Sequence, residues 1–170
     1  KTETELNMIG YALHQTVSPT MMVYPTDTIA KFASDKRVQP MIRSVKPLAD
    51  MYDESSKLLE LDFVNGNYMV LVGANSPSSL SSRSIKYLFF DEIDKYPAFS
   101  GKEANPIKLA EERTKTFVDK KIVRVSTPTI ESGNIWQSYM GANERKQYYV
   151  PCPHCGVSQT LKFKQIKWPE

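Results

Sequence analysis

Leu6, Ile9 and Leu13 recur at the i, i+3, i+7 spacing of one helical face, which predicts a helix over residues 3–15. The run Thr-Met-Met-Val-Tyr at 20–24 is apolar without helical periodicity and stops at Pro25, as a buried strand does; Met21 and Met22 are expected in the core. Asp27 is placed to cap a helix reaching about Lys36, and residues 46–57 are expected as loop or weak helix. Two strands, 59–63 and 68–72, flank Asn65-Gly66, a hairpin signal. Ser76-Pro77 is suited to open a short helix, Ile85–Phe90 is a strand, and Asn105-Pro106 opens a helix to about Phe117. Lys121–Ser126 is a strand, Gly133–Met140 a helix, and 148–150 and 160–163 flank a cysteine turn. Strands alternate with helices up to residue 140, so the expected fold is α/β with a mostly parallel sheet flanked by helices, followed by a small β element.

Composition narrows the class. The 170 residues are enough for one domain with its own core. A net charge of +3, with 41% hydrophobic and 24% charged residues, excludes both a polycation and an acidic disordered tail. No apolar run approaches the roughly 18 residues of a membrane span. No leader-like segment opens the chain, and two cysteines three positions apart cannot staple a fold, so a reducing compartment is expected. The chain opens in helical pattern without Met and ends on Trp168-Pro169-Glu170, as an interior segment of a longer protein would.

Four places carry candidate chemistry. The apolar strand Tyr87–Phe90 runs into Asp91 and Glu92, and ligands of parallel sheets bind beyond such carboxyl ends. There Asp91 can hold Mg²⁺ and Glu92 can deprotonate a water attacking a γ-phosphate; a strand ending in a solvated acidic turn has the same pattern. Ser126, Thr127 and Thr129, around the stiffening Pro128, close a second strand, where hydroxyls can sense a phosphate; an ordinary polar turn also fits. Lys1-Thr2 before the first helix matches the tail of a phosphate-binding loop, without its glycines. Cys152 and Cys155 have zinc-knuckle spacing, but His154 between them is poorly placed to close the same tetrahedron and His14 is distant. The alternatives are a half-site completed by a second Cys pair downstream and a reduced pair in a turn.

Taken in order, these segments resemble the ATPase region of phage large terminase subunits of the phage lambda type, the terminase GpA family. Lys1-Thr2-Glu3 is similar to the end of the family's Walker A loop and Val23–Asp27 to the strand end after the first helix. Gly73–Pro77, with Leu80 and Arg83, resembles the stretch before Walker B. Phe90–Asp94 with Tyr96-Pro97 resembles Walker B itself. Ala110–Thr114 follows, then Ser126–Thr129 like the coupling motif. Glu144–Gly156 is the most specific stretch.

The resemblance implies a P-loop NTPase-like domain over 1–145, its first strand and most of the phosphate loop lying outside the chain, and a zinc-knuckle-like half-element over 146–170. It implies an ATP-hydrolysing motor that drives double-stranded DNA into a procapsid. The implied partners are a small terminase subunit and the portal, with a homo-oligomeric ring when active, in the host cytoplasm and away from membranes. A nuclease domain that cuts concatemeric DNA is implied for the parent protein, outside this chain. ATP and Mg²⁺ are the implied cofactors, with Zn²⁺ conditional on a second Cys pair. By motif, Asp91 binds Mg²⁺, Glu92 is the base, and Lys1 and Thr2 serve phosphate and metal. Ser126, Thr127 and Thr129 couple, and Arg83 is a candidate arginine finger. Arg113 suits a helix-face ion pair better than a phosphate sensor, and Tyr24 suits core better than a nucleotide or DNA wall shared with Thr26. Lys162, Lys164 and Lys167 fit a solvated basic face better than a DNA contact. A helicase-type translocase and a non-enzymatic zinc-knuckle binding module are the competing readings.

Overall fold

A computed structural model describes residues 2–101, 104–162, 165 and 167. Helix α1 (Thr2–Gln15) leads into strand β1 (Thr20–Tyr24), then α2 (Asp27–Ala33), a π-helical turn (Ser34–Val38), α3 (Gln39–Ser44) and α4 (Lys46–Ala49). The hairpin strands β2 (Glu60–Asp62) and β3 (Tyr68–Gly73) follow, then α5 (Pro77–Ser81) and β4 (Tyr87–Asp91). A 3₁₀ turn (Ile93–Lys95), α6 (Pro106–Glu112), β5 (Lys121–Val125) and α7 (Asn134–Met140) complete the main body. A separate two-stranded hairpin, β6 (Val150–Pro151) and β7 (Ser158–Gln159), carries the cysteines at its tip.

The main sheet has the order β2-β3-β1-β4-β5, parallel except for β2, which runs antiparallel to β3. Gly66 takes φ +82 in the Asn65-Gly66 turn, a left-handed conformation that glycine adopts without penalty. Because strand side chains alternate, the sheet feeds two cores. Met22, Tyr24, Leu71 and Phe89 face α1, α2 and α3, where the predicted stripe Leu6, Ile9, Leu13 is buried. Met21, Val23, Val72, Leu88 and Phe90 face α5 and α6. β1 is buried at all five positions and β4 at four of five, because each has a partner strand on both sides and helices on both faces. β5 is the edge strand, and its residues are half-buried or exposed.

Local chemistry explains where the expected boundaries move. Thr26, not Asp27, caps α2: its hydroxyl accepts from the amide of Ile29. The helical path does not stop at Lys36 but continues through the π turn to Ser44. Buried Ser34 is diverted outward, its hydroxyl bonding the carbonyl of Leu58. Ser76 precedes α5 but makes no capping bond; its hydroxyl meets that of Ser79. α6 ends at Glu112, short of Phe117, because the carbonyl of Arg113 is taken by the amide of Ile85. Its start is as expected: the Asn105 side chain accepts from the amides of Ile107 and Lys108. The strands flanking the cysteine turn are two residues each, 150–151 with 158–159, shorter than 148–150 and 160–163. No helix among the described residues is long and apolar enough to cross a membrane.

Candidate nucleotide site at the strand ends

The carboxyl ends of β1, β3, β4 and β5 lie along one edge of the sheet. Asp91 is the last residue of β4 and stands opposite Val125, so Ser126 emerges from the adjacent strand end. The two predicted carboxyl-end motifs are therefore neighbours. α1 brings its first turn to the same edge. Its last turn is fixed at the opposite one, where the Asn67 side chain just before β3 donates to the carbonyls of Leu13 and Thr16. A 14-residue helix is about 21 Å long, slightly more than a five-residue strand, so Thr2 ends up on the Asp91 side. Thr2 is half-buried there; Lys1 lies outside the described residues.

Burial sorts the two carboxylates. Asp91 is 8% exposed, whereas Glu92 is half-buried and ion-paired with Lys95 at 2.8 Å. Glu92 has φ 54, ψ 46, making it the one non-glycine residue with positive φ among those described. A left-handed conformation costs an ordinary side chain roughly 1–2 kcal/mol, and such backbone strain gathers at functional sites. It turns the chain sharply between Asp91 and Glu92, so adjacent carboxylates serve different surroundings.

The floor of the site is aromatic and rigid. Tyr96 packs edge-on against Phe90 and donates its hydroxyl to the carbonyl of Val23 at 2.6 Å, tying the turn after Glu92 to β1. Burial, reinforced by the negative field of Asp91 and Glu5, pushes the Tyr96 phenol well above its ordinary value. Burial, then Asp91 and Glu5, raises the Tyr24 phenol in the same way. Both phenols therefore stay protonated. Glu5, 1% exposed in the first turn of α1, adds a further acidic group to this region that the motifs did not single out. Tyr24 is core, as expected, and its hydroxyl meets the sulfur of Met22.

The neighbouring strand ends are interlocked. The amide of Gly73 donates to Asp27, the amide of Asp27 to the Asn75 side chain, and that of Ala74 to the carbonyl of Tyr24. A Cβ on Gly73 would lie 2.2 Å from the Asp27 amide nitrogen, so only glycine lets the β1 and β3 turns close on one another. Asp94 does the same between β4 and β5. Its amide donates to the Ser126 hydroxyl at 3.3 Å, and its carboxylate accepts from Thr129 at 3.4 Å and Ile135 at 2.8 Å. The sequence signal for Asp94 was only its position in the motif.

Other candidates lie elsewhere. Arg83 is half-buried beside β2 and β3, paired with Glu60 at 2.8 Å and stacked over Tyr68. Arg113 donates to the carbonyl of Ser81. Lys162 and Lys167 are exposed, and Lys164 lies outside the described residues. Among the described residues no three His, Cys, Asp or Glu side chains gather as a metal cage. At the hairpin tip, backbone N–H groups of Cys155 and His154 directed at the Cys152 sulfur hold its thiol below the ordinary value. Two thiols supply half of the four ligands that structural zinc requires, so the described residues form no zinc centre.

Comparison with known proteins fits this arrangement. The chain is 28% identical over 171 residues to the large terminase subunit of Enterobacteria phage P21 (95% of this chain, 26% of that protein). To the large terminase subunit of Escherichia phage lambda it is 26% identical (96% and 27%). It thus spans about a quarter of the length of these relatives. The fold is shared with the large terminase ATPase domain of Thermus phage P74-26, with a TM-score of 0.64 at 17% identity over 94% of this chain and 67% of that one. The family described as phage terminase large subunit gpA, ATPase domain, matches residues 1–170, and the chain belongs to that family.

Proposed function

We propose that this chain is the hydrolytic part of a DNA-packaging motor, cleaving ATP at the strand ends to drive double-stranded DNA into a procapsid. The observation that carries the reading is the juxtaposition of buried Asp91, strained Glu92 and Ser126 at adjoining strand ends, facing the first turn of α1. A helix N-terminus favours anions, which suits a nucleotide phosphate on that edge.

Mg²⁺ suits the donor set: a carboxylate and a hydroxyl are hard oxygen ligands, and this ion arrives with nucleotide on one or two protein groups rather than in a full protein cage. Asp91 and Thr2 would hold it, and it would neutralise charge on the phosphates. Glu92 accepts a proton from the attacking water as the oxygen–phosphorus bond forms, the bond to the bridging oxygen breaks, and ADP leaves. Lys1 is the proposed phosphate ligand. Ser126, Thr127 and Thr129 would sense phosphate loss and pass it to α7. The proposed motor unit is residues 1–145, and 146–170 is a zinc-knuckle-like half-element around the β6–β7 hairpin, with zinc there conditional on ligands from further along the chain. Arg83 acts as a finger only toward a neighbouring subunit in a ring, since within its own chain it is committed to Glu60 and Tyr68. The small terminase subunit and the portal are the proposed partners, in the host cytoplasm, and the nuclease that cuts concatemers belongs to the longer protein.

Full-length protein carrying Glu92→Gln tests this. DNA-stimulated ATP hydrolysis should fall by roughly 10²–10⁴-fold, the usual worth of a general base, with ATP binding retained. Hydrolysis at the wild-type rate would remove Glu92 from the mechanism.

A further inference from the structure

The turn that carries Glu92 is held from two sides. Toward the core, Tyr96 fixes it to β1 through the 2.6 Å bond to Val23. Toward β5, two residues of this region carry polar ties. Asn134 donates to the carbonyl of Ile93 at 2.9 Å, and Asp94 makes the three bonds to Ser126, Thr129 and Ile135. Gly133 belongs to the same contact. A Cβ there would stand 2.7 Å from the Asp94 carboxylate, so the loop closes against this side chain with no room to spare.

We propose that Asp94 is a positioning residue for the hydrolysis assigned above, on which this inference rests. One side chain spans three pieces: the Glu92 turn, the Ser126–Thr129 loop and the first turn of α7. The Ile135 bond caps α7, whose early amides lack partners of their own. The Thr129 bond fixes the loop after Pro128. A change at Ser126 or Thr129 when phosphate leaves therefore shifts the Glu92 carboxylate, and the same lock carries it into α7. Lys95 and Glu92, the other charged groups of this turn, pair with each other and leave Asp94 to the loop.

The test uses full-length protein with Asp94→Ala and Asp94→Asn, read by steady-state ATP hydrolysis and by amide hydrogen exchange resolved at Thr129 and Ile135. Alanine removes both acceptors. Exchange at both amides should rise at least tenfold, and kcat should fall at least tenfold with KM for ATP within twofold. Asparagine keeps one oxygen, which goes to the shorter Ile135 bond. It should retain protection at Ile135, lose it at Thr129 and give an intermediate kcat. Wild-type kcat in both variants would overturn the proposal. So would a parallel rise in KM and loss of overall melting temperature, because that is a folding defect. Asp94→Ala with normal kcat beside an inactive Glu92→Gln leaves the hydrolysis reading standing and removes this inference alone. A wild-type protein that neither binds nor cleaves ATP removes both.

Discussion

At the end of β4, Asp91 is 8% exposed, Glu92 sits in a strained left-handed turn, and Tyr96 and Asp94 brace that turn from either side. At the tip of the β6–β7 hairpin, Cys152 is half-buried, Cys155 and His154 are exposed, and two strands of two residues supply the only ladder. Both places carry reactive groups in a recognisable spacing. Only the first is surrounded by structure that fixes side chains against one another. A functional constellation needs that supporting shell, because a carboxylate held by packing keeps its geometry and a thiol in a solvated turn does not. The strand-end region behaves as a built site and the hairpin as a local turn.

This contrast can be broken or sharpened by substitution, with unfolding in urea as the readout. The largest effect is expected beneath the site. Phe89→Ala on β4 removes a fully enclosed ring and should cost about 3–5 kcal/mol; a cost below 1 kcal/mol would mean the strand is not the rigid platform described. Gly73→Ala drives a methyl group into the Asp27 backbone and should cost about 1–3 kcal/mol while disturbing the β1–β3 turn. Glu92→Gly runs the other way. It relieves the positive φ and should raise stability by about 1 kcal/mol while abolishing hydrolysis in the full-length protein. Lower stability would show that Glu92 is a structural residue. The smallest effect belongs to the hairpin, where Cys152→Ser should change the stability of this chain by less than about 0.5 kcal/mol. Alkylation of Cys152 should rise with pH through a midpoint below the roughly 8.5 of a free thiol, since the thiolate is the nucleophile and backbone N–H groups favour it.

What could be read from the sequence divides along the same physical line. β1, the Asn65-Gly66 hairpin, β4 and α1 are legible because burial on two faces, a turn needing positive φ, and regular periodicity are written in neighbouring residues. The continuation of α2 to Ser44 is not, because it depends on Ser34 finding the carbonyl of Leu58, 24 positions away. The early end of α6 depends likewise on Ile85 claiming the Arg113 carbonyl. Asp91, Glu92 and Ser126 are legible as strand-end residues, and the sheet register makes those two strand ends neighbours. Asp94 has only its motif position as a signal and Glu5 has none, because an acidic residue in a polar turn or a first helical turn is ordinary until its tertiary partners are known. Arg83 shows the converse: a motif position whose environment is an ion pair with Glu60 of the edge strand β2.

The proposed function requires Glu92 to activate the water that cleaves ATP beside Asp91. The most direct test is a single-turnover measurement on full-length protein, in which bound ATP is quenched and counted as ATP or as ADP and phosphate. Wild-type protein should convert its bound ATP to ADP while Glu92→Gln holds it intact. Cleavage of bound ATP at the wild-type rate in Glu92→Gln would contradict it.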